Sequence, residues 1–405
     1  MKKIELDITA YQVAKEYWGL PPNERTFGRV CELLNIQSGD TSQKIRNQNY
    51  LSQLTRAHEI AGLVKHKVLP ARAPGFADHA TEYAPLLPEL EDRLRRRFGL
   101  RDVIVVDTSD FRPVHGDWLF KHDDLLHEHL GRWAGRILAS TVRPDDVVAT
   151  GGGRGPYYCA HFCAIPPHST YPKKVVSLTG SISAGMWRGA SDITDDNATR
   201  DVDADRIASL LHSKLGTKQT PEYLNCTIVD GKEGSNAKHD GPNSKDVNVA
   251  VVGIGALGGG HRLKQEDILD DLKQVKNLVK DLNREVTAVE KHFQDKDPKE
   301  PYFHCIGDVC NSYFVLEEVK NAPDGEHIYK RLTDRVAEIN SHFVNTQPEE
   351  LNRICRKGVV MAVAGGPHKT GAIAHVLRQN EKGSPWITHL VTSDEVAKSI
   401  LQNFG

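Results

Sequence analysis

Short runs of β-branched apolar residues alternate along most of this chain with stretches in which apolar positions recur every three or four residues. Val103-Ile-Val-Val106, Asp146-Val-Val-Ala-Thr150, Val175-Val-Ser-Leu178, Val247 to Ile254, Gly358 to Ala364 and His389-Leu-Val-Thr392 have the length and composition of buried strands. Leu125 to Val142, Asp203 to Leu215, His368 to Gln379 and Ser393 to Asn403 have helical periodicity. Strands that are apolar throughout, with helices between them, predict an α/β fold with a doubly wound, mostly parallel sheet. The first 70 residues read differently, as short helices at Ala10 to Tyr17, Arg25 to Leu34 and Tyr50 to Leu63. Leu69-Pro-Ala-Arg-Ala-Pro-Gly75 then reads as a linker, because two prolines and a glycine suit neither regular element. The expected organisation is a helical head over 1–70, a linker over 71–84 and a body over 85–405.

One segment of the body has a narrower pattern. Ile268, Leu272, Val275, Val279, Leu282, Val286, Val289 and Phe293 alternate spacings of four and three, the seam of a long helix. Such a helix either lies on its own domain, with Leu269 and Leu278 widening the stripe, or pairs with a second copy across a subunit interface.

Composition narrows the class. At 405 residues, with 39% hydrophobic and 26% charged positions, the chain suits two globular domains, and no apolar run approaches the length needed to span a bilayer. The N-terminus has no signal-peptide pattern, and seven cysteines without a Cys-x-x-Cys pair suit reduced thiols, so a cytoplasmic location is expected. The net charge of −2 is uneven: the first 75 residues hold 11 Lys/Arg against 7 Asp/Glu, a basic head on an acidic body.

Candidate chemistry lies in the loops that follow strands, where ligands bind on such sheets. Three are glycine-rich: Gly151-Gly-Gly-Arg-Gly155, Gly253-Ile-Gly-Ala-Leu-Gly-Gly-Gly260 and Gly365-Gly-Pro-His-Lys369. Glycine lets backbone amides approach an anion, and two of the loops add a cation, Arg154 and Lys369. The second loop also spells Gly-x-Gly-x-x-Gly after a strand, the dinucleotide fingerprint, although Gly259, Gly260 and His261 delay the expected helix. Cys159-x-His161-x-Cys163 and His304-Cys305 lack the paired spacing of zinc sites. Asp201-x-Asp203-x-Asp205 starts like a calcium loop, but Arg206 stands where the turn needs glycine. Neither a metal nor a cofactor is expected.

Several of these segments together resemble the SorC-type sugar-binding transcriptional regulators: LEDRLRRRFGLRDVIVV from Leu90 to Val106, Leu130-Gly131, RPDDVVATGGGR from Arg143 to Arg154, VAVVGIG from Val249 to Gly255, IGDVCNS from Ile306 to Ser312 and VMAVAGGPHK from Val360 to Lys369. The resemblance runs from about residue 85 to the C-terminus. It implies a Rossmann-like effector domain that binds a phosphorylated sugar and controls oligomerisation or DNA contact. In the head, Tyr50 to Val68 looks like the family's recognition helix and first wing strand. Two departures stand out: Gly155 replaces the threonine that usually follows Gly-Arg, and the stretches Trp187 to Asp205 and 262–301 are longer than the usual connections.

The resulting reading is an effector-responsive transcriptional regulator, a homo-oligomer with a winged helix-turn-helix-like head. Gly152, Gly153, Arg154 and Gly155 would approach an anionic group, Gly253 and Gly255 would shape the pocket floor, Asp308 would accept from hydroxyls and Lys369 would pair with a phosphate. Ser52, Gln53 and Arg56 would face double-stranded DNA, with Leu51, Leu54, Ala57 and Ile60 on the buried side of the same helix. A sugar-phosphate isomerase or hydrolase, or a nicotinamide-dependent enzyme, is the alternative on the same fold, since one scaffold hosts both sensors and enzymes.

Overall fold

A computed structural model describes residues 85–109, 121–163, 172–179, 203–217, 219–222, 246–257, 273–296, 304–310, 312–342 and 346–404. The head and linker, including Ser52, Gln53 and Arg56, lie outside the described residues.

Six strands form one parallel sheet. They are β1 (Asp102–Val106), β2 (Val147–Thr150), β3 (Lys174–Ser177), β4 (Val247–Val252), β8 (Val359–Val363) and β9 (His389–Ser393), in the spatial order β3-β2-β4-β8-β9-β1. Every residue of β1, β2 and β9 is buried, as the continuous Val and Ile runs require of strands covered on both faces. On one face lie α2 (Lys121–Thr141), α3 (Arg154–Phe162) and α4 (Ala204–Leu215), where Leu130, Leu138, Cys159, Ile207 and Leu211 close over Val148, Val249 and Met361. On the other lie α1 (Pro88–Phe98), α7 (Pro348–Lys357), α8 (Thr370–Glu381) and α9 (Asp394–Asn403), which bury Leu94, Phe98, Ile354, Ile373, Val396 and Ile400 against the sheet.

Local sequence explains the ends of α1. Pro88 opens it, Glu89 and Glu91 occupy its first turn and Arg95, Arg96 and Arg97 its last, each sign complementing the helix dipole. Gly99 then stops it in the left-handed conformation at φ 62°.

The run from Val247 to Ile254 is not one strand. The chain bends at Gly253, and Ile254–Leu257 becomes β5 of a separate antiparallel sheet, β5-β6-β7, with β6 at Ile306–Val309 and β7 at Ser312–Val315. One face of this small sheet meets α8: Gly307 leaves room for Phe314 and Ala372, and the Phe314 ring stacks on His375 at 4.6 Å. Burial there pushes the imidazole of His375 down to about 4, so it stays neutral within this aromatic layer. The other face meets α5 (Lys273–Lys296) and α6 (Gly325–Ser341).

That contact decides between the two roles of the apolar seam. Val279, Leu282, Val286 and Val289 are buried with Ile306, Tyr313 and Val315 of the small sheet and with Leu332, Val336 and Ile339 of α6. Two arginines of α6, Arg331 and Arg335, each hold Glu285 of α5 at 3.0 Å. The described part of the seam therefore faces its own domain, while Ile268 and Leu272 lie outside the described residues. Leu282→Ala is expected to cost about 2–4 kcal/mol in chemical denaturation, the range for emptying a buried leucine site, with no change in sedimentation. A lighter sedimenting species with unchanged stability would return the seam to a subunit interface.

Candidate functional site

Strands β2, β4 and β8 are neighbours at the centre of the sheet, so the three glycine loops leave side by side from its carboxyl edge. From β2 the chain passes through α3 outward to β3, whereas from β4 it departs toward β8 on the other side. This divergence marks a topological switch point, the place where open α/β sheets have their ligand crevice.

The β2 loop continues the ladder for one residue, the Gly151 amide donating to Val251 O at 2.9 Å, and then turns. Gly153 has φ 109° and precedes the first residue of α3, half-buried Arg154. The β8 loop repeats the device, with Gly366 at φ 97° before a 3-10 turn, Pro367–Lys369, that leads into α8. Side chains rarely adopt such φ values, so glycine at both places is required by the turn. Each turn starts a helical segment at the crevice, where first-turn amides have no intrahelical acceptor.

Gly155 has a packing reason. A Cβ there would run into the carbonyl of Val363, so the first turn of α3 sits directly on the end of β8. The threonine suggested by the resemblance has no room, and any anion contact in this loop falls to backbone amides and Arg154.

At the end of β4, Gly253 lies against the Gly152 carbonyl, bringing the first two loops into contact. Gly255 pairs with Asp308 across β5 and β6, and a Cβ at 255 would collide with Asp308 Oδ1. Asp308 is buried, as is Cys310 two residues on, whose Sγ would lie 3.0 Å from a Cβ at Gly151. Burial, with the Asp308 charge added, pushes both the Cys310 thiol and the Tyr313 hydroxyl up, so both are neutral hydrogen-bonding groups. The residues after Gly253 form a strand, not the opening turn of a helix. Among the described residues, the dinucleotide fingerprint thus opens a strand and not the helix N-terminus that would face a pyrophosphate.

Lys369 enters from the third loop, its Nζ 3.0 Å from His127 Nε2. His127, on α2, is 1% exposed, and its helix neighbours Leu126 and Leu130 pack on Gly365. Sequence reasoning missed this histidine. Its only signal was a polar residue beside the apolar face of a helix whose first turns lie at the carboxyl edge.

The Cys159, His161 and Cys163 side chains do not converge, since both thiols are buried while His161 is exposed. Burial pushes Cys163 up to about 12. Asp203 is the N-cap residue of α4, and burial raises its carboxyl to about 7, with Arg206 opposing the shift. Among the described residues no group of three or more His, Cys, Asp and Glu side chains is placed to hold a metal, and no helix is long and apolar enough to cross a membrane.

Two substitutions separate the roles of these glycines. Gly155→Ala pushes against backbone and is expected to lower stability by about 1–3 kcal/mol. Gly255→Ala meets the carboxyl group of the Asp308 side chain and no backbone, and should lower the melting temperature less than Gly155→Ala while displacing the carboxylate, visible as altered small-molecule binding. Equal melting temperatures for the two variants would refute the close approach at Val363.

Residues 86–207 match the family model described as "Putative sugar-binding domain". No curated protein matches the chain. Among solved structures, the probable sor operon regulator of Shigella flexneri superposes with a TM-score of 0.50 at 14% identity, covering 78% of this chain and 99% of that one. The full-length sorbitol operon regulator SorC of Klebsiella pneumoniae gives 0.49 at 14% identity over 97% and 98% of the two chains. A sugar-binding domain of a transcriptional repressor from Vibrio fischeri gives 0.49 at 17% over 78% and 99%. Residues 86–207 thus carry the sequence pattern of that sugar-binding domain model, and the described body has a fold like that of the probable sor operon regulator.

Proposed function

We propose that the chain is an effector-responsive transcriptional regulator whose body binds a phosphorylated sugar at the crevice and whose head, residues 1–70, binds double-stranded DNA. The observation that carries the first half is the convergence of three glycine loops on adjacent strands, with an ammonium at one side and a buried carboxylate at another. Backbone amides of Gly152 to Gly155 and the side chains of Arg154 and Lys369 suit an anionic group, and Asp308 above Gly255 suits sugar hydroxyls. The relatives are named as operon and transcriptional regulators, which supports assigning the crevice to sensing in preference to turnover. The antiparallel strand after Gly253 disfavours the nicotinamide alternative.

A thermal-shift screen tests the pocket, because a ligand that binds only the folded state raises apparent stability by mass action. Phosphorylated sugars are expected to raise the melting temperature, and NAD is not. In Lys369→Ala the affinity for a hexose phosphate should fall about tenfold or more, while the unphosphorylated parent changes little, since the lost interaction is mainly charge pairing. Equal weakening of both removes Lys369 from the anion site.

For the head, Gln53 and Arg56 would donate to base edges from the exposed face of the Tyr50-containing helix, and Ser52 would support them. Genomic binding-site selection should return an enriched sequence bound with a steep salt dependence, and Gln53→Ala with Arg56→Ala should abolish the enrichment. No enriched sequence and no salt-dependent duplex binding would remove DNA as the partner.

A further inference from the structure

We propose that His127 is a ligand-binding residue of the crevice and shares one phosphate group with Lys369. The inference rests on the reading of the crevice as an anionic-sugar site and adds a residue from a fourth element, α2.

The position of His127 is set by α2. It leaves the carboxyl edge after β1 and runs back toward the start of β2, so its early turns stand beside the loops that end β8 and β9. Leu126 and Leu130, one turn apart, clamp Gly365 from this helix, which fixes the rotation of the turn carrying His127. The imidazole is thereby held against the third glycine loop and is almost fully withdrawn from solvent. A buried polar ring is costly unless it has hydrogen-bonding partners, and one of these is the Lys369 ammonium at 3.0 Å.

The chemistry of that contact is directional. A lysine ammonium only donates, so His127 Nε2 accepts from it and the ring proton sits on Nδ1. Two nitrogen groups so close can both reach a phosphate, which offers three acceptor oxygens. When the anion arrives, Lys369 can turn one N–H from Nε2 to a phosphate oxygen, and the imidazole, keeping its proton on Nδ1, can take the proton of a phosphate monoanion at the freed Nε2 and donate that N–H to the resulting dianion. The pair then provides a point charge and an oriented donor, which together discriminate a phosphate from a hydroxyl better than the lysine alone.

Inorganic phosphate, a hexose 6-phosphate and its parent hexose are the probes, measured by calorimetry with the full chain, the His127→Leu variant and the His127→Gln variant. In His127→Leu the affinity for inorganic phosphate and for the hexose phosphate should fall about tenfold while the parent hexose stays within about twofold. His127→Gln keeps a side-chain donor and should recover most of the loss. A structural role alone would weaken sugar and sugar phosphate together, and that result overturns the proposal. Should the leucine variant fail to fold, the imidazole nitrogen resonances of the parent protein, assigned by their loss in His127→Gln, decide the matter. They should shift on addition of inorganic phosphate, and unmoved resonances overturn the proposal. If the parent protein binds neither phosphate nor sugar phosphate, the anionic-sugar reading itself fails, a result distinct from normal phosphate binding that ignores His127.

Discussion

All six strands of the main sheet run the same way, and the remaining architecture depends on that constraint. A parallel pair cannot be joined by a tight turn, so each connection must cross a face of the sheet and return. Every strand then ends at one edge, and loops far apart in sequence emerge next to one another. The buried strands reflect the same requirement. Val148 and Val249 face α2, α3 and α4, while Ala149 and Ala250 face α1, α7, α8 and α9, so neither side of a central strand can carry an uncompensated polar group.

The departure from this plan lies at Gly253. Where the next element of a regular doubly wound fold would be a helix, the chain continues as β5 and begins the small antiparallel sheet. This exchanges a helix N-terminus for a strand whose neighbour, β6, carries Asp308 over Gly255 and Cys310 against Gly151. A carboxylate and a buried thiol so stand at the middle loop where a helix start would offer amide donors. The β2 and β8 loops keep their helical starts, and the three loops differ in chemistry although their glycine patterns look alike.

The main-sheet strands and their principal helices were legible because their pattern is strong: a short run centred on two or more consecutive aliphatic residues, then a periodic stretch. What the pattern concealed was the break at Gly253. Residues 249 to 254 carry no polar side chain across it, and only the pairing of Ile254 with Val309 shows that two sheets meet there. The short strands β6 and β7 were hidden for a related reason, since four-residue segments containing Gly307, Asp308 and Ser312 lack alternation. At the candidate site, the glycines and Lys369 were singled out by position after strands and Asp308 by the family resemblance, whereas nothing singled out His127. Its chemistry arises from a contact between residues 242 positions apart, and a single sequence contains no local trace of that contact.

The missing threonine at position 155 shows how packing and binding chemistry constrain each other. The end of β8 and the first turn of α3 touch through the Val363 carbonyl, so this glycine loop can be drawn close to the third only if position 155 has no side chain. A hydroxyl would add one donor and push the loops apart. Glycine keeps them together and leaves the first turn of α3, with Arg154, at the same edge of the sheet as the third loop that carries Lys369. On the anionic-sugar reading proposed above, a site built in this way would recognise an anion through backbone donors held by the sheet. The long, flexible cation, Lys369, is steadied from α2 by an imidazole, which limits the side-chain entropy that ligand binding must remove.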